Sequence, residues 1–291
     1  MESSNSEEKQ YLDLIKYIID HGKHKLDRTG VGTLSLFGSM MRFNLTNSFP
    51  LLTTKKIFWK GVVEELLWFL HGSTNCQELA KKGVNIWNAN GTRDFLDKRG
   101  LQHYEENDLG PIYGFQWRHF GANYNRYDSD YTNQGIDQIR ECIRLIKTDP
   151  LSRRIILTAW NPSDLHKMAL PPCHIFAQFE VYDNQLSCIM YQRSCDMGLG
   201  VPFNIASYSL LTCLIAHSCG LNAKEFIYMM GDAHVYLSHI EPLKEQMTRN
   251  PRLFPQLEFL CEPKDIDFYT STDFRIINYE PYPAIKMDMA V

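Results

Sequence analysis

Apolar residues at Leu12, Ile15, Ile18 and Ile19 recur at helical spacing and predict a helix over residues 8–20, closed by Gly22. Residues 1–8 ahead of it are polar and acidic and read as a disordered tail, leaving 9–291 as the ordered chain. A flexible loop is expected at 24–32. Strands are predicted at 33–37 and 41–45, parted by Gly38-Ser39. Residues 61–71 form a helix that is apolar almost all round, which places it in the interior. A short helix over 74–82 stops at Gly83. Residues 88–130, rich in Gly, Asn and Asp, read as long loops. Ile136, Ile139, Ile143 and Ile146 then mark a helix that ends before Asp149-Pro150.

The second half turns to strand periodicity. Residues 153–160 predict a β-branched strand. Ile175, Ala177, Phe179 and Val181 alternate with Phe176, Gln178, Glu180 and Tyr182, as in a half-buried strand. Residues 186–193 predict another, with Asp183-Asn184 as the two-residue hairpin turn between them. A long apolar helix follows at 204–219, ended by Gly220, then a strand at 226–230 and a helix at 237–248. No repeat or linker interrupts the chain, and strands and helices mix without regular βαβ alternation. The pattern predicts a single α+β domain. A turn at Asp183-Asn184 sets the hairpin register: Cys173 falls opposite Ser194 and His174 opposite Arg193, unless a β-bulge shifts the pairing by one residue. Either way Pro172-Cys173-His174 and Gln192-Arg193-Ser194 meet at one end of the sheet.

Composition narrows the function classes. With 44% hydrophobic and 22% charged residues, the chain is an ordinary globular one. Thirty Lys and Arg against 34 Asp and Glu give a net charge of −4, which argues against a duplex-DNA-binding module. The longest apolar run, 62–70, is broken by Glu64 and Glu65 and falls well short of the ~18 residues of a membrane span. The acidic N-terminus does not resemble a secretory or mitochondrial targeting segment. The eight cysteines include no CxxC pair and the ten histidines no HExxH, so no metal is expected and the thiols are expected to be reduced and mostly buried.

Candidate chemistry follows from the hairpin register. A thiol beside a guanidinium should have its pKa lowered, which makes Cys173 a candidate nucleophile; the plainer reading is a small buried hydrophobe. Cys195 is its rival, although neighbouring Asp196 would disfavour a thiolate there. Arg28, Arg153, Arg154 and Arg193 are candidate anion ligands, and each alone reads equally as a solvated arginine. Arg153-Arg154 stand out because neighbours on a strand point to opposite faces. Glu64 and Glu65 lie on an apolar helix, where a buried carboxyl becomes an acid/base of raised pKa or an arginine's partner; periodicity does not choose between them. Asn204 reads locally as a helix N-cap, and His234 and Tyr236 as core residues with satisfied polar tips.

Several longer motifs carry a family. Leu170-Pro-Pro-Cys-His174, Tyr191-Gln-Arg-Ser-Cys-Asp-Met-Gly-Leu-Gly-Val-Pro-Phe-Asn204 and Gly231-Asp-Ala-His-Val-Tyr236 resemble thymidylate synthase. So do Asp27-Arg-Thr-Gly30, Glu64-Glu-Leu-Leu-Trp-Phe69, Gly110-Pro-Ile-Tyr-Gly-Phe-Gln-Trp-Arg-His119 and Ser152-Arg-Arg154, and the region 91–130 looks like the animal and large-DNA-virus form. The resemblance runs from about residue 9 to Val291. It implies a three-layer α+β fold with a mixed sheet, a homodimer through a sheet face, and a cytosolic location, with nuclear or mitochondrial residence also open.

The resemblance also implies reductive methylation of dUMP by 5,10-methylenetetrahydrofolate, giving dTMP and dihydrofolate without metal, flavin or NAD(P). Carried over by position, Cys173 attacks carbon 6 of uracil. Arg193 sits beside the thiol and joins Arg28, Gln192 and Ser194 at the nucleotide and its phosphate, with Arg153 and Arg154 donated by the partner subunit. Asn204 reads the uracil edge, and His234 and Tyr236 hold the ribose hydroxyl. Glu65 organises a proton network with Tyr113 and His174 nearby. Asp196 holds the pterin; Ile86, Trp87, Asn90, Leu199 and Phe203 wall the folate; Lys55 is placed at its polyglutamate tail; Ala290-Val291 close over the site. Asn88 departs from the Asp of many relatives.

Three rivals remain at this point. A pyrimidine hydroxymethylase shares the fold, but reading cytosine would suit Asp better than Asn204. In a cysteine hydrolase His174 would have to serve Cys173, yet adjacent strand residues point to opposite faces. A non-catalytic nucleotide- or RNA-binding protein would have no use for Cys173, Glu65 and Asn204 together.

Overall fold

The computed structural model describes residues 5–26 and 30–289. Helix α1 (Ser6–His21) is capped by Asn5, whose side chain accepts from the Glu8 amide at 3.1 Å, and it buries Tyr11, Leu12, Ile15 and Ile18. Glu8 is itself fully buried: its carboxylate accepts from the amides and hydroxyls of Thr53 and Thr54 at 2.6–2.9 Å. Residues 5–8 are therefore structured, contrary to the expected tail. Their polarity serves bonds to a segment some 45 residues away, which local composition does not reveal.

A six-stranded sheet is built in the order β1 (Lys23–Lys25), β2 (Thr33–Asn44), β6 (Asn222–Tyr236), β5 (Gln185–Asp196), β4 (His174–Tyr182), β3 (Ile156–Thr158). Its neighbours are antiparallel except β5 and β6, which are parallel and joined through helix α7 (Gly200–Ser218), as a parallel pair requires. β1 lies in the stretch expected as loop. The two strands expected around Gly38 are a single one: Phe37 pairs with Asp232 and Ser39 with Met230, so both halves share β6. Gly38, at φ +87°, bends the strand without reversing it.

The hairpin turn falls at Asp183-Asn184, both residues at positive φ (+50° and +59°), and the register runs as expected from Tyr182–Gln185 to Phe176–Tyr191. A bulge between Phe176 and His174 then shifts it by one residue, so His174 faces Gln192 and the Arg193 amide donates to the Cys173 carbonyl at 2.9 Å. Arg193, not Ser194, thereby stands opposite Cys173.

β3 is shorter than the strand expected over 153–160. Its ladder ends where the Phe179 amide donates to the Ile155 carbonyl, and Arg153 and Arg154 occupy an exposed turn before it. The argument from opposite strand faces therefore does not apply to them. α7 starts at Gly200, four residues ahead of the expected start, so Asn204 lies inside the helix and is not its cap.

Three layers result. α7 packs on β5 and β6, flanked by α1 on β2 and by α6 (Gln138–Thr148) on β3. Beyond α7 lies α2 (Trp59–Leu70), buried from Gly61 to Leu70, with α3 (Cys76–Lys81) and α5 (Tyr113–His119) against it. The expected loops at 88–130 contain α5, α4 (Arg93–Lys98) and a 3₁₀ turn at Asn88–Gly91, each too short to show a helical period in sequence. After β6 come α8 (Ile240–Met247) and a separate two-stranded sheet of β7 (Gln256–Phe259) and β8 (Phe274–Ile277), which the sequence reading missed.

The other sheet face is apolar and open. One row across it is Met40, Met229, Tyr191 and Phe176; the next is Arg42, Ile227, Ile189, Gln178 and Ile156. Met40, Ile156 and Tyr191 are 48%, 38% and 36% exposed. Among the described residues no helix is long and apolar enough to cross a membrane.

Candidate active site

The bulge in β4 fixes the centre of the site. Arg193 donates through Nε to the Pro172 carbonyl at 2.8 Å and through Nη2 to the Pro171 carbonyl at 3.1 Å, and the same Nη2 lies 4.0 Å from Cys173 Sγ. Its guanidinium also sits 5.6 Å from the Trp160 ring. Gly231 makes room on the next strand: a Cβ there would come within 2.7 Å of the Tyr191 hydroxyl and 3.1 Å of the Arg193 carbonyl. All eight cysteines are free, and Cys173 is half-buried. Burial pushes the Cys142, Cys188 and Cys213 thiols up to about 12. Cys195, the sequence rival, is pushed up by burial and its sulfur donates to the Gln192 carbonyl at 3.3 Å.

Above Cys173 lies a wall of rings. The Cys173 amide donates to the Tyr113 hydroxyl at 2.7 Å, and Tyr113 stacks on His174 with centroids 4.1 Å apart. His174 Nδ1 bonds the Tyr208 hydroxyl at 2.8 Å, and burial pushes the imidazole pKa down to about 3. It is a neutral ring engaged with α7, not a base for the neighbouring thiol. The two glutamates on α2 have different partners. Both are buried, but Glu64 pairs with the half-exposed Lys82 at 2.7 Å, whereas Glu65 accepts from Trp87 Nε1 at 2.7 Å. Burial raises Glu65 to about 7, against the lowering effect of that indole.

A second group gathers where β5 ends. Asp196 accepts from the Gly198 amide at 2.8 Å and the Leu199 amide at 3.3 Å. Burial works to raise its pKa, but His239, the Gly198 amide and His234 outweigh burial and hold the carboxylate below its usual range. The Cβ direction of Gly200 points between Asp196 and Asn204 Oδ1, 3.7 and 3.8 Å away. Asn204 is 8% exposed, and no hydrogen bond from a described residue satisfies its side-chain amide. On β6, His234 pairs in register with Asp196, lies 3.4 Å from Asp232 Oδ1 and packs edge-on against Tyr236. Gln192 accepts from the Tyr228 hydroxyl at 2.6 Å and donates to the Ser194 carbonyl at 2.9 Å. Trp87 and Asn90 are buried, and Ile86, Leu199 and Phe203 are half-buried. Exposed Asn88 donates to Asn85 at 3.1 Å.

Three placements change the sequence reading. Lys55 is buried with its ammonium on the Gly198 carbonyl, and burial, partly offset by Asp196, lowers its pKa to about 8. It braces the Asp196 loop and does not fit a surface cation awaiting a polyglutamate tail. Arg153 and Arg154 are exposed, and neither guanidinium bonds a described residue. Arg28, Ala290 and Val291 lie outside the described residues. Trp160, Tyr208 and His239 are neighbours the sequence reading did not single out.

Residues 9–291 match the family model described as thymidylate synthase. The chain is 60% identical over 284 residues to a human protein named thymidylate synthase, a match covering 98% of this chain and 91% of that protein. It is 59% identical over 285 residues to a protein of the same name from human herpesvirus 8 type P, covering 98% and 85%. A bifunctional dihydrofolate reductase-thymidylate synthase of Zea mays is 59% identical over 285 residues, which cover 98% of this chain and 55% of that longer protein.

Proposed function

The chain belongs to the thymidylate synthase family, and on that premise we propose which of its residues carry the reaction. The activity is reductive methylation of dUMP to dTMP with 5,10-methylenetetrahydrofolate as co-substrate. The folate supplies both the one-carbon unit and the hydride and leaves as dihydrofolate.

Cys173 is the nucleophile. A guanidinium 4.0 Å from its sulfur stabilises the negative charge of a thiolate. Attack of that sulfur on carbon 6 of uracil moves electron density to carbon 5, which becomes the nucleophile toward the one-carbon unit. Glu65, poised near neutrality, accepts and returns protons. Tyr113, stacked on neutral His174, carries that network toward the base. Asn204 offers a donor and an acceptor to the uracil edge from inside α7, and its side-chain amide, bonded to no other described residue, supports this role. Gln192 and Ser194 flank the nucleotide, and His234 and Tyr236 take the ribose hydroxyl. For the folate, the ionised Asp196 accepts from the pterin, and Ile86, Trp87, Asn90, Leu199 and Phe203 form the wall. The half-buried carboxylate and adjoining apolar side chains suit a flat heterocycle with polar N–H groups.

The protein acts as a homodimer through the open sheet face, its occupant a second copy. The apolar rows across that face support this reading. Gln178 lies on the face and donates to the Arg153 carbonyl at 3.2 Å, which puts the Arg153-Arg154 turn at its border. From there the two guanidiniums, which bond no described residue of their own chain, reach the phosphate bound by the partner together with its Arg193.

The observation that carries the reading is the Cys173–Arg193 pair at the β4 bulge. Incubation with dUMP and methylenetetrahydrofolate is expected to raise dihydrofolate absorbance. Cys173→Ser should lower the rate by about three orders of magnitude or more, while Cys195→Ser keeps most of it. Full activity in Cys173→Ser would overturn the assignment.

A further inference from the structure

His239 takes no part in the reaction as set out above, yet it lies between two parts of the site. It follows β6 in a 3₁₀ turn (Leu237–His239) and is 1% exposed. Its Nε2 is 2.8 Å from the backbone carbonyl of Asp288. A carbonyl only accepts, so this nitrogen carries a proton. Its Nδ1 is buried, has no hydrogen-bond partner and faces Asp196 Oδ1 at 3.7 Å. In the neutral ring that nitrogen would be a bare lone pair aimed at a carboxylate. In the imidazolium it is an N–H aimed at one, and only the charged ring suits both neighbours at once.

The local packing keeps the ring there. A Cβ on Gly198 would come within 2.5 Å of His239 Nδ1 and 3.2 Å of Met287 Sδ, so the glycine lets the ring and the C-terminal segment share one pocket. Tyr236 packs edge-on against the ring, with centroids 5.5 Å apart.

We propose that His239 is a positioning residue that, in its charged form, clasps the C-terminal segment at Asp288 to the Asp196 loop, so that closure of this segment over the site depends on pH. The consequence for the folate rests on the reading of Asp196 given above.

The charged groups facing the ring are Asp196 from the end of β5 and Lys55 from the segment before α2. The Asp288 side chain is turned to solvent, 3.8 Å from Lys286. Burial works to lower the His239 pKa and Lys55 adds to that, but Asp196 and the Asp288 carbonyl outweigh both and raise it above 6.5. A raised histidine value means the clasp is complete below 6.5 and is lost as pH climbs through the folded value. Asp196, held low, stays ionised throughout.

Trypsin cleavage after Lys286, 90% exposed in its side chain, reads the clasp directly by release of the peptide 287–291. Rates are normalised to a free peptide spanning the same bond. In the wild-type chain, normalised release should rise on the order of tenfold between about pH 6 and 8.5, as one charge-assisted hydrogen bond is lost. His239→Gln, which keeps a donor but no charge, should release the peptide fast at both values, and Asp196→Asn should flatten the wild-type profile. A flat profile in the wild-type chain overturns the proposal whether or not the variants fold. So does a His239→Gln profile that follows the wild type. In parallel, KM for methylenetetrahydrofolate should rise with pH in the wild type while KM for dUMP holds. If peptide release behaves as stated and the folate KM does not follow, the clasp stands and the reading of Asp196 as the pterin ligand falls.

Discussion

Arg193 touches the Pro171 carbonyl, the Pro172 carbonyl and the Cys173 sulfur with one rigid fork, and this is why a lysine could not replace it: an ammonium has no fixed geometry to span three acceptors. The hairpin turn and a count of residues brought that arginine to the same sheet end as that cysteine but set it opposite His174; the bulge in β4 is what pairs it with Cys173. The separation of Glu65 from Glu64 was not legible, because both sit on a helix buried all round, and only the indole of Trp87 on one side and Lys82 on the other tell them apart. Asn204 was misread for a related reason: its local sequence suits an N-cap, and only the start of α7 at Gly200 makes it a buried amide in the helix's second turn. Asn204→Asp tests what that amide does. A carboxylate accepts but does not donate, so it repels the uracil carbonyl and suits the amino group of cytosine. The variant should lose about ten- to a hundredfold in kcat/KM for dUMP, in line with ~1–3 kcal/mol for a mismatched buried pair, and gain relative preference for dCMP. An unchanged ratio of the two nucleotides would assign Asn204 to packing alone.

Elements of regular period were readable and their interruptions were not. The β4–β5 turn has the residues its positive φ values require, so its position and most of the register followed from sequence. The bulge between His174 and Phe176 depends on how Pro172 and Arg193 bond, which no propensity encodes. Gly38 looked like a turn because glycine marks both turns and bends; pairing of both flanks with β6 decides for the bend. The start of α1 was hidden in an acidic run because Glu8 bonds Thr53 and Thr54, far away in sequence. That carboxylate ties α1 to the segment leading to Lys55 and so to the Asp196 loop. Glu8→Ala strands two buried amides and two hydroxyls, and should cost about 2–4 kcal/mol and lower the urea midpoint by about 1 M. Glu8→Gln, which retains one acceptor, should cost less. Equal urea midpoints for wild type and Glu8→Ala would show that water replaces the carboxylate without penalty.

At the scale of the whole molecule, two layers of helices cover one face of the sheet and leave the other face apolar and open, with the Arg153-Arg154 turn at its edge. The family resemblance carried the dimer, whereas the strand pattern carried only a half-buried sheet: alternation tells which side chains share a face, not what covers it. Our central claim is that two chains complete each site, one giving Cys173 and Arg193 and the other giving Arg153 and Arg154. Mixing two inactive variants tests it most directly. Arg154→Glu and Cys173→Ser chains should each be nearly inactive alone. After subunit exchange, confirmed by a mass or affinity tag on one chain, half of the mixed dimers' sites combine an intact Cys173 with an intact Arg154 from the other chain. Dihydrofolate formation should then recover to about a quarter of the wild-type rate at equal mixing. Confirmed exchange with no recovery would contradict the shared site and return the arginines to their own chain.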